Sequence, residues 1–232
     1  MHQVTIPAHI IDRVRKVRGS DHIFSSLDMA KVAHVCVDMQ VGFVAEGAPI
    51  EVPMTRQIAG TINTISAAVR AAGGLNVFTR YTYDTSEKLS WEHWFKTLGT
   101  TQLDAQARMA RFMPDWEIDP AMELEDGDII VDKTRFSALI PETCDMDAQL
   151  KARGIDTLII TGTLTNCCCE STARDAQQMG YNVIFMSDAN ATLSDEEHLG
   201  TLLSMYTIFA DVMDTPYLLD LIDTSSAKRA AA

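Results

Sequence analysis

The sequence predicts an α/β protein: a single-domain, Rossmann-like, six-stranded parallel sheet with helices on both faces. Three observations lead there. Short β-branched apolar runs recur along the chain, a stretch of helical periodicity follows each, and the connections between them are short. Right-handed βαβ crossovers put helices on both faces of such a sheet, so its strands read as nearly unbroken apolar runs.

The first strand is expected at Ala33-His34-Val35-Cys36-Val37-Asp38. After a loop with Gly42, Gly47, Pro49 and Pro53, apolar Ile58, Ile62, Ile65, Ala68 and Val69 recur at helical spacing until Gly73-Gly74 ends the helix. Leu75-Asn76-Val77-Phe78-Thr79 reads as the second strand. Residues 81–127 hold all three tryptophans, Trp91, Trp94 and Trp116, and read as a long excursion over the surface or over a cleft. Two interpretations of its aromatics stand level: a lid, or, because Trp91 and Trp94 are three apart, the buried face of a short helix. The third strand covers 128–132 and ends at Lys133; a helix around 146–153 stops at Gly154. Strand four, 157–161, runs into Gly162-Thr163-Leu164-Thr165-Asn166 and a helix from Cys167 to Met179 closed by Gly180. A strand at 182–187, a helix at 195–209 and a last short strand at 211–213 complete the alternation. Residues 1–30 are expected to form an N-terminal arm packed on the body or on a neighbouring subunit. Residues 31–223 would form the domain, and 224–232 a flexible tail.

Composition fits one globular domain: 232 residues, 47% hydrophobic and 22% charged, are enough to bury a core. The net charge of −13 lacks the cationic field that nucleic acid and anionic membrane surfaces require, which excludes both as expected partners. No apolar run reaches the 18 or so residues of a membrane span. Five cysteines, three of them consecutive (Cys167, Cys168, Cys169), do not resemble a secreted disulfide framework, and no secretion signal opens the chain. A cytoplasmic location is expected.

Ligands of parallel sheets bind beyond the C-terminal strand ends. Asp38, Tyr81, Lys133, residues 163–168 and Asp188 all fall there. A cysteine in the first turn of a helix after a strand meets unpaired N–H groups that lower its pKa, and the same groups can hold an oxyanion. Helical neighbours point about 100° apart, so at most one of the three cysteines faces a given cleft. Asp38 is the natural proton acceptor and Lys133 the natural cation beside it. Against this, a strand-end Asp is commonly a helix cap and a strand-end Lys a solvated surface residue.

The spelling of the motifs adds to that. Val37-Asp38-Met39-Gln40, then Asp132-Lys133-Thr134-Arg135-Phe136-Ser137, then Thr161-Gly162-Thr163-Leu164-Thr165-Asn166-Cys167-Cys168-Cys169-Glu170-Ser171-Thr172-Ala173-Arg174-Asp175-Ala176 resemble the isochorismatase-like cysteine hydrolase superfamily from about Ala33 to about Met213. The resemblance implies an Asp38–Lys133–Cys168 triad and a cis peptide at Thr163-Leu164. It also implies an oxyanion hole from the backbone N–H groups of Leu164 and Cys168, and assembly into homodimers or homotetramers. Its nicotinamidases bind a metal through an Asp and a His pair after the second strand. Here that stretch reads Arg80-Tyr81-Thr82-Tyr83-Asp84, so neither metal nor other cofactor is expected. The Thr-Asn-x-Cys-x-Glu-Ser-Thr spelling is similar to ureidoacrylate and carbamoyl amidohydrolases.

The implied activity is cleavage of a C–N bond in a small amide, ureido or carbamoyl compound through a thioester. Two alternatives are a vinyl ether hydrolase of the isochorismatase type, which does not keep the cysteine, and a non-catalytic binding or assembly protein. A thiol redox or metal-thiolate site has little support, because consecutive helical cysteines diverge. Gln40, Phe43, Tyr81, Tyr83, Arg135, Phe136 and Asn166 are candidate substrate contacts. Arg135 would either fork onto a substrate carboxylate or brace its own loop.

Overall fold

A computed structural model describes residues 1–230. Its six strands are β1 (Val32–Val37), β2 (Leu75–Tyr81), β3 (Ile129–Lys133), β4 (Thr157–Thr163), β5 (Asn182–Ala191) and β6 (Asp211–Met213). They form one parallel sheet, as the sequence predicts, in the order β3-β2-β1-β4-β5-β6. Helices are α1 (Ala8–Arg18), α2 (Val41–Val44), α3 (Thr55–Ala71), α4 (Glu92–Phe95), α5 (Thr100–Ala107), α6 (Met146–Ala152), α7 (Glu170–Gln178), α8 (Asp195–Ser204) and α9 (Thr215–Ala230).

Alternation along the strands sorts the core into two layers. In β1, Val32 and Cys36 face one layer with Ile58, Ile62, Ile65 and Val69 of α3 and Leu218, Leu221 and Ile222 of α9. Ala33, Val35 and Val37 face the other, with Val14 of α1, Met146 and Leu150 of α6, and Ala173 and Ala176 of α7. The apolar spacing that identifies α3 is therefore its buried face, and truncating one of its buried isoleucines to alanine costs about 2–5 kcal/mol.

Chain order reverses between β1 and β4, and the loops there diverge to leave a crevice at the strand ends. The N-terminal segment packs on its own body: Val14 is buried, and His2 pairs with Asp195 at 2.7 Å and stacks on His198.

Two expectations need correction. Residues 224–230, read from the sequence as a tail after the domain, continue α9, which the alternating strand and helix pattern does not announce; 231–232 lie outside the described residues. The helix expected from Cys167 opens instead as a π turn, Thr165–Cys169, before α7 begins at Glu170. Among the described residues, no helix is long and apolar enough to cross a membrane.

Candidate active site

Three strand ends meet at the crevice. Just past β1 the chain turns at Asp38 with φ 51°, a left-handed conformation that Asp tolerates better than most residues. Gly162 in β4 makes the close approach possible: it has φ +114°, and a Cβ there would lie 2.1 Å from the Val37 carbonyl oxygen. That contact holds Asp38 beside the turn that follows β4.

Asp38 is fully buried, held by side chains of β2 and β3. Thr79 Oγ1 of β2 donates to its Oδ1 at 2.8 Å, and Lys133 Nζ of β3 lies 2.7 Å from its Oδ2. Lys133 is also fully buried and donates to the Arg135 carbonyl at 3.1 Å. Burial lowers its affinity for a proton, but the Asp38 carboxylate and the neighbouring Cys168 outweigh burial and leave Lys133 raised above an ordinary lysine. The ammonium is thus permanent at neutral pH. Strand-end Asp and Lys here are neither a cap nor a solvated surface residue.

The π turn supplies the thiols. The amides of Cys167 and Cys169 both donate to the Leu164 carbonyl at 3.1 Å, and the Thr163-Leu164 peptide is cis. Cys169 is buried in the core beneath, while Cys167 and Cys168 line the crevice. A lowered thiol pKa is the sequence-based expectation at this turn, and Cys168 departs from it. Its hydrogen bond to Cys167 and its burial hold the Cys168 proton well above the ordinary value, against the pull of Lys133. Cys167 accepts that hydrogen bond and is lowered. Burial and the neighbouring sulfur thus favour the protonated form of Cys168, while Lys133 opposes them.

The crevice is a cavity of about 410 Å³ walled by Phe43, Ile50, Val52, Tyr81, Trp94, Gln106, Phe136, Leu164, Asn166, Cys167 and Cys168, among others. Four sequence candidates, Phe43, Tyr81, Phe136 and Asn166, reach it; three do not. Gln40 is fully buried and bridges the backbones of Tyr81 and Trp116, because its amide satisfies groups that no strand partner reaches. Tyr83 packs on Phe95. Arg135 braces its loop, donating to the carbonyls of Leu89, Ser90 and Thr134. Trp91 and Trp94 are half-buried, flank Phe136, and Trp94 closes one side of the cavity.

The rest of the motif is scaffold. Glu170 accepts from Arg174 at 2.6 Å and from Thr201 Oγ1 of α8, and Thr172 Oγ1 accepts the Ala138 amide, tying α7 to the loop after β3. Asp188 caps α9 through Thr215. Residues that sequence reasoning missed are Thr79, whose inward position only strand alternation could suggest, and the wall residues Ile50, Val52, Gln102 and Gln106, which carry no motif. Among the described residues, no group of three or more His, Cys, Asp or Glu is placed to hold a metal.

A parallel α/β sheet with a carboxylate, an ammonium and thiols gathered at its switch point is the architecture of a class of hydrolases. The isochorismatase domain model matches residues 32–216, and the chain belongs to the isochorismatase family. It is 35% identical over 179 residues to the uncharacterized isochorismatase family protein YwoC of Bacillus subtilis (strain 168), spanning 76% of this chain and 86% of that one. It is 32% identical over 183 residues to the ureidoacrylate amidohydrolase RutB of Variovorax paradoxus (strain S110), spanning 72% and 71%. A cysteine hydrolase from Pseudomonas syringae pv. phaseolicola 1448A superposes with a TM-score of 0.79 at 28% identity, over 88% of this chain and 98% of that chain.

Proposed function

We propose that the protein is a cysteine-dependent amidohydrolase that cleaves a C–N bond in a small amide, ureido or carbamoyl compound. The observation that supports this best is the buried Asp38–Lys133 pair, 2.7 Å apart, beside a cavity that Cys168 lines. Asp38 takes the proton of the neutral Cys168 thiol, and the thiolate attacks the substrate carbonyl. Lys133 offsets the negative charge that then resides on sulfur. The backbone N–H groups of Leu164 and Cys168 receive the oxyanion; the Cys167 and Cys169 amides on either side of Cys168 are already tied to Leu164. Asp38 returns the proton to the departing nitrogen, which leaves as an amine or ammonia. Water, deprotonated by the same carboxylate, then hydrolyses the thioester.

The relatives named an amidohydrolase and a cysteine hydrolase point the same way. A cytoplasmic location and a homodimeric or homotetrameric assembly belong to the same proposal, and all five cysteines are free thiols. The test is ammonia release from a panel of primary amides, ureides and carbamoyl compounds, with isochorismate beside them under an ether-cleavage readout. Turnover of a nitrogen compound that Cys168→Ala abolishes is the expected result. Consumption of isochorismate alone would replace this proposal with ether hydrolysis.

A further inference from the structure

Residues 1–7 precede α1 and belong to none of the elements that carry Asp38, Lys133 and Cys168, yet their contacts lead to the turn that holds Cys168. Val4 and Ile6 pack on the second core layer. Both carboxylate oxygens of Asp195, the first residue of α8, are taken by this segment: Oδ1 by His2 Nδ1 at 2.7 Å and Oδ2 by the Gln3 backbone amide at 3.3 Å. The His2 side chain is only 2% exposed. Ordering a chain end costs conformational entropy, which these contacts offset.

Hydrogen-bond chemistry fixes the proton on each of two stacked rings. The Thr192 backbone amide can only donate, and it donates to His2 Nε2 at 3.1 Å, so the His2 proton sits on Nδ1 and goes to Asp195. Thr192 is fully buried, and its Oγ1 donates to Asn166 Oδ1 at 2.7 Å. The His2 ring stacks on His198, with centroids 4.3 Å apart and planes 13° from parallel. The Ser187 carbonyl can only accept, so His198 Nε2 carries the proton and Nδ1 accepts from Thr165 Oγ1 at 2.9 Å. Burial depresses the His198 pKa to about 4, which keeps that ring neutral at neutral pH. Two paths therefore run from His2, one through Thr192 to Asn166 and one through His198 to Thr165. Thr165 and Asn166 open the π turn, three and two positions before Cys168.

Resting on the reading of Cys168 as the nucleophile, we infer that the N-terminal segment is a strap and His2 a positioning residue that sets the π turn carrying Cys168. His2 stays outside the cavity wall and acts through Thr192 and His198. Misplacing a nucleophile by about 1 Å can cost about 100-fold in rate, so anchoring the first two residues of the turn bears on the chemical step. Phe43, Val52 and Phe136, which wall the cavity from other elements, keep their places when the strap is cut, so binding is affected less.

The test compares full-length His2→Phe, His2→Gln and His2→Asn with Val14→Ala, a core truncation in α1 that leaves both paths in place. Phe keeps a ring and loses both hydrogen bonds, Gln keeps an acceptor near the Nε2 position, and Asn keeps a donor near the Nδ1 position. Circular dichroism shows that each variant is folded, and steady-state ammonia release is followed with a substrate that wild type turns over. His2→Phe is expected to lower kcat about tenfold with KM changed less than about threefold, and Val14→Ala to keep kcat within about twofold despite a lower melting temperature. His2→Gln should recover most of the loss and His2→Asn should not, because the path through Thr192 needs the acceptor. A kcat for His2→Phe within about twofold of wild type, or rescue by Asn as good as by Gln, overturns the inference. Failure of the amidohydrolase reading looks different: wild type turns over nothing in the panel. The strap is then judged by iodoacetamide alkylation of Cys168, followed by peptide mass mapping. Cys168 is 3% exposed, and a released turn uncovers it, so His2→Phe should react at least about threefold faster than wild type. An unchanged or slower rate overturns the inference.

Discussion

The Asp38–Lys133 pair has both side chains fully buried, and its worth depends on each partner keeping the other. Replacing one leaves an uncompensated charge in the core, which typically costs about 3–5 kcal/mol. Lys133→Met should therefore destabilise by that amount in urea denaturation and abolish turnover. Adding Asp38→Asn should restore part of the stability and none of the activity. A single variant as stable as wild type would mean that the pair is hydrated. A second residue-level prediction concerns His34, fully buried with Nε2 2.7 Å from Thr161 Oγ1. Burial, more than its bond to Asn76 can offset, depresses its pKa to about 4, and His198 is depressed in the same direction. The unfolded chain then binds a proton near pH 6.5 that the folded chain refuses until about pH 4. Stability is complete above pH 6.5 and falls as the pH drops toward 4, by roughly 3 kcal/mol for His34 alone. Denaturation midpoints from pH 8 to 4 check the sign; a flat profile contradicts it.

At the scale of elements, the contact between β1 and β4 decides whether a site forms. Gly162→Ala would drive a Cβ into the Val37 backbone and also strain a φ of +114°, so a destabilisation beyond about 3 kcal/mol and loss of activity are expected. Gly60 offers the opposite case: it sits inside α3, where an added Cβ would meet nothing within 4 Å, so Gly60→Ala should stabilise by about 0.5–1 kcal/mol. Thermal unfolding of the two variants side by side checks both signs. The same elements explain what could be read beforehand. β1, β4 and α3 declare themselves because each buries a periodic apolar face. The π turn at Thr165–Cys169 does not, since its residues have the composition of an ordinary helix start and the altered bonding is set by the turn itself. Asp38, Lys133 and Cys168 stand out in the sequence by their motifs, and the fold sets Lys133 2.7 Å from Asp38 and Cys168 on the cavity beside them. The raised proton affinity of Cys168 does not stand out in the sequence, because it comes from a neighbouring sulfur and from burial, both products of the fold.

For the whole molecule, the sheet places Asp38, Lys133 and Cys168 at its reversal point, and loops from distant parts of the chain wall the cavity beside them. Those loops are the part the sequence hides. Ile50 and Val52 come from the segment before α3, Gln102 and Gln106 from α5, and their meeting over Cys168 follows from tertiary packing rather than from any local pattern. Arg135 illustrates the cost of reasoning from type alone: its guanidinium suits a substrate carboxylate, yet the backbone of 89–90 claims it. The N-terminal segment is also part of the body. Deleting residues 1–18 removes Val14 from one core layer and His2 from its pairing with Asp195, so the melting temperature should fall by several degrees. An unchanged melting temperature would mean that the segment rests on the surface without stabilising it.

The proposal that Cys168 is the covalent nucleophile is tested most directly by intact-protein mass spectrometry of wild type, acid-quenched during turnover of a neutral ureide, followed by peptide mapping. The predicted result is an adduct equal to the substrate minus its departing amine, located on Cys168 and absent from Cys168→Ala, while Cys167→Ala still forms it. An adduct on Cys167, or full turnover by Cys168→Ala, would contradict it.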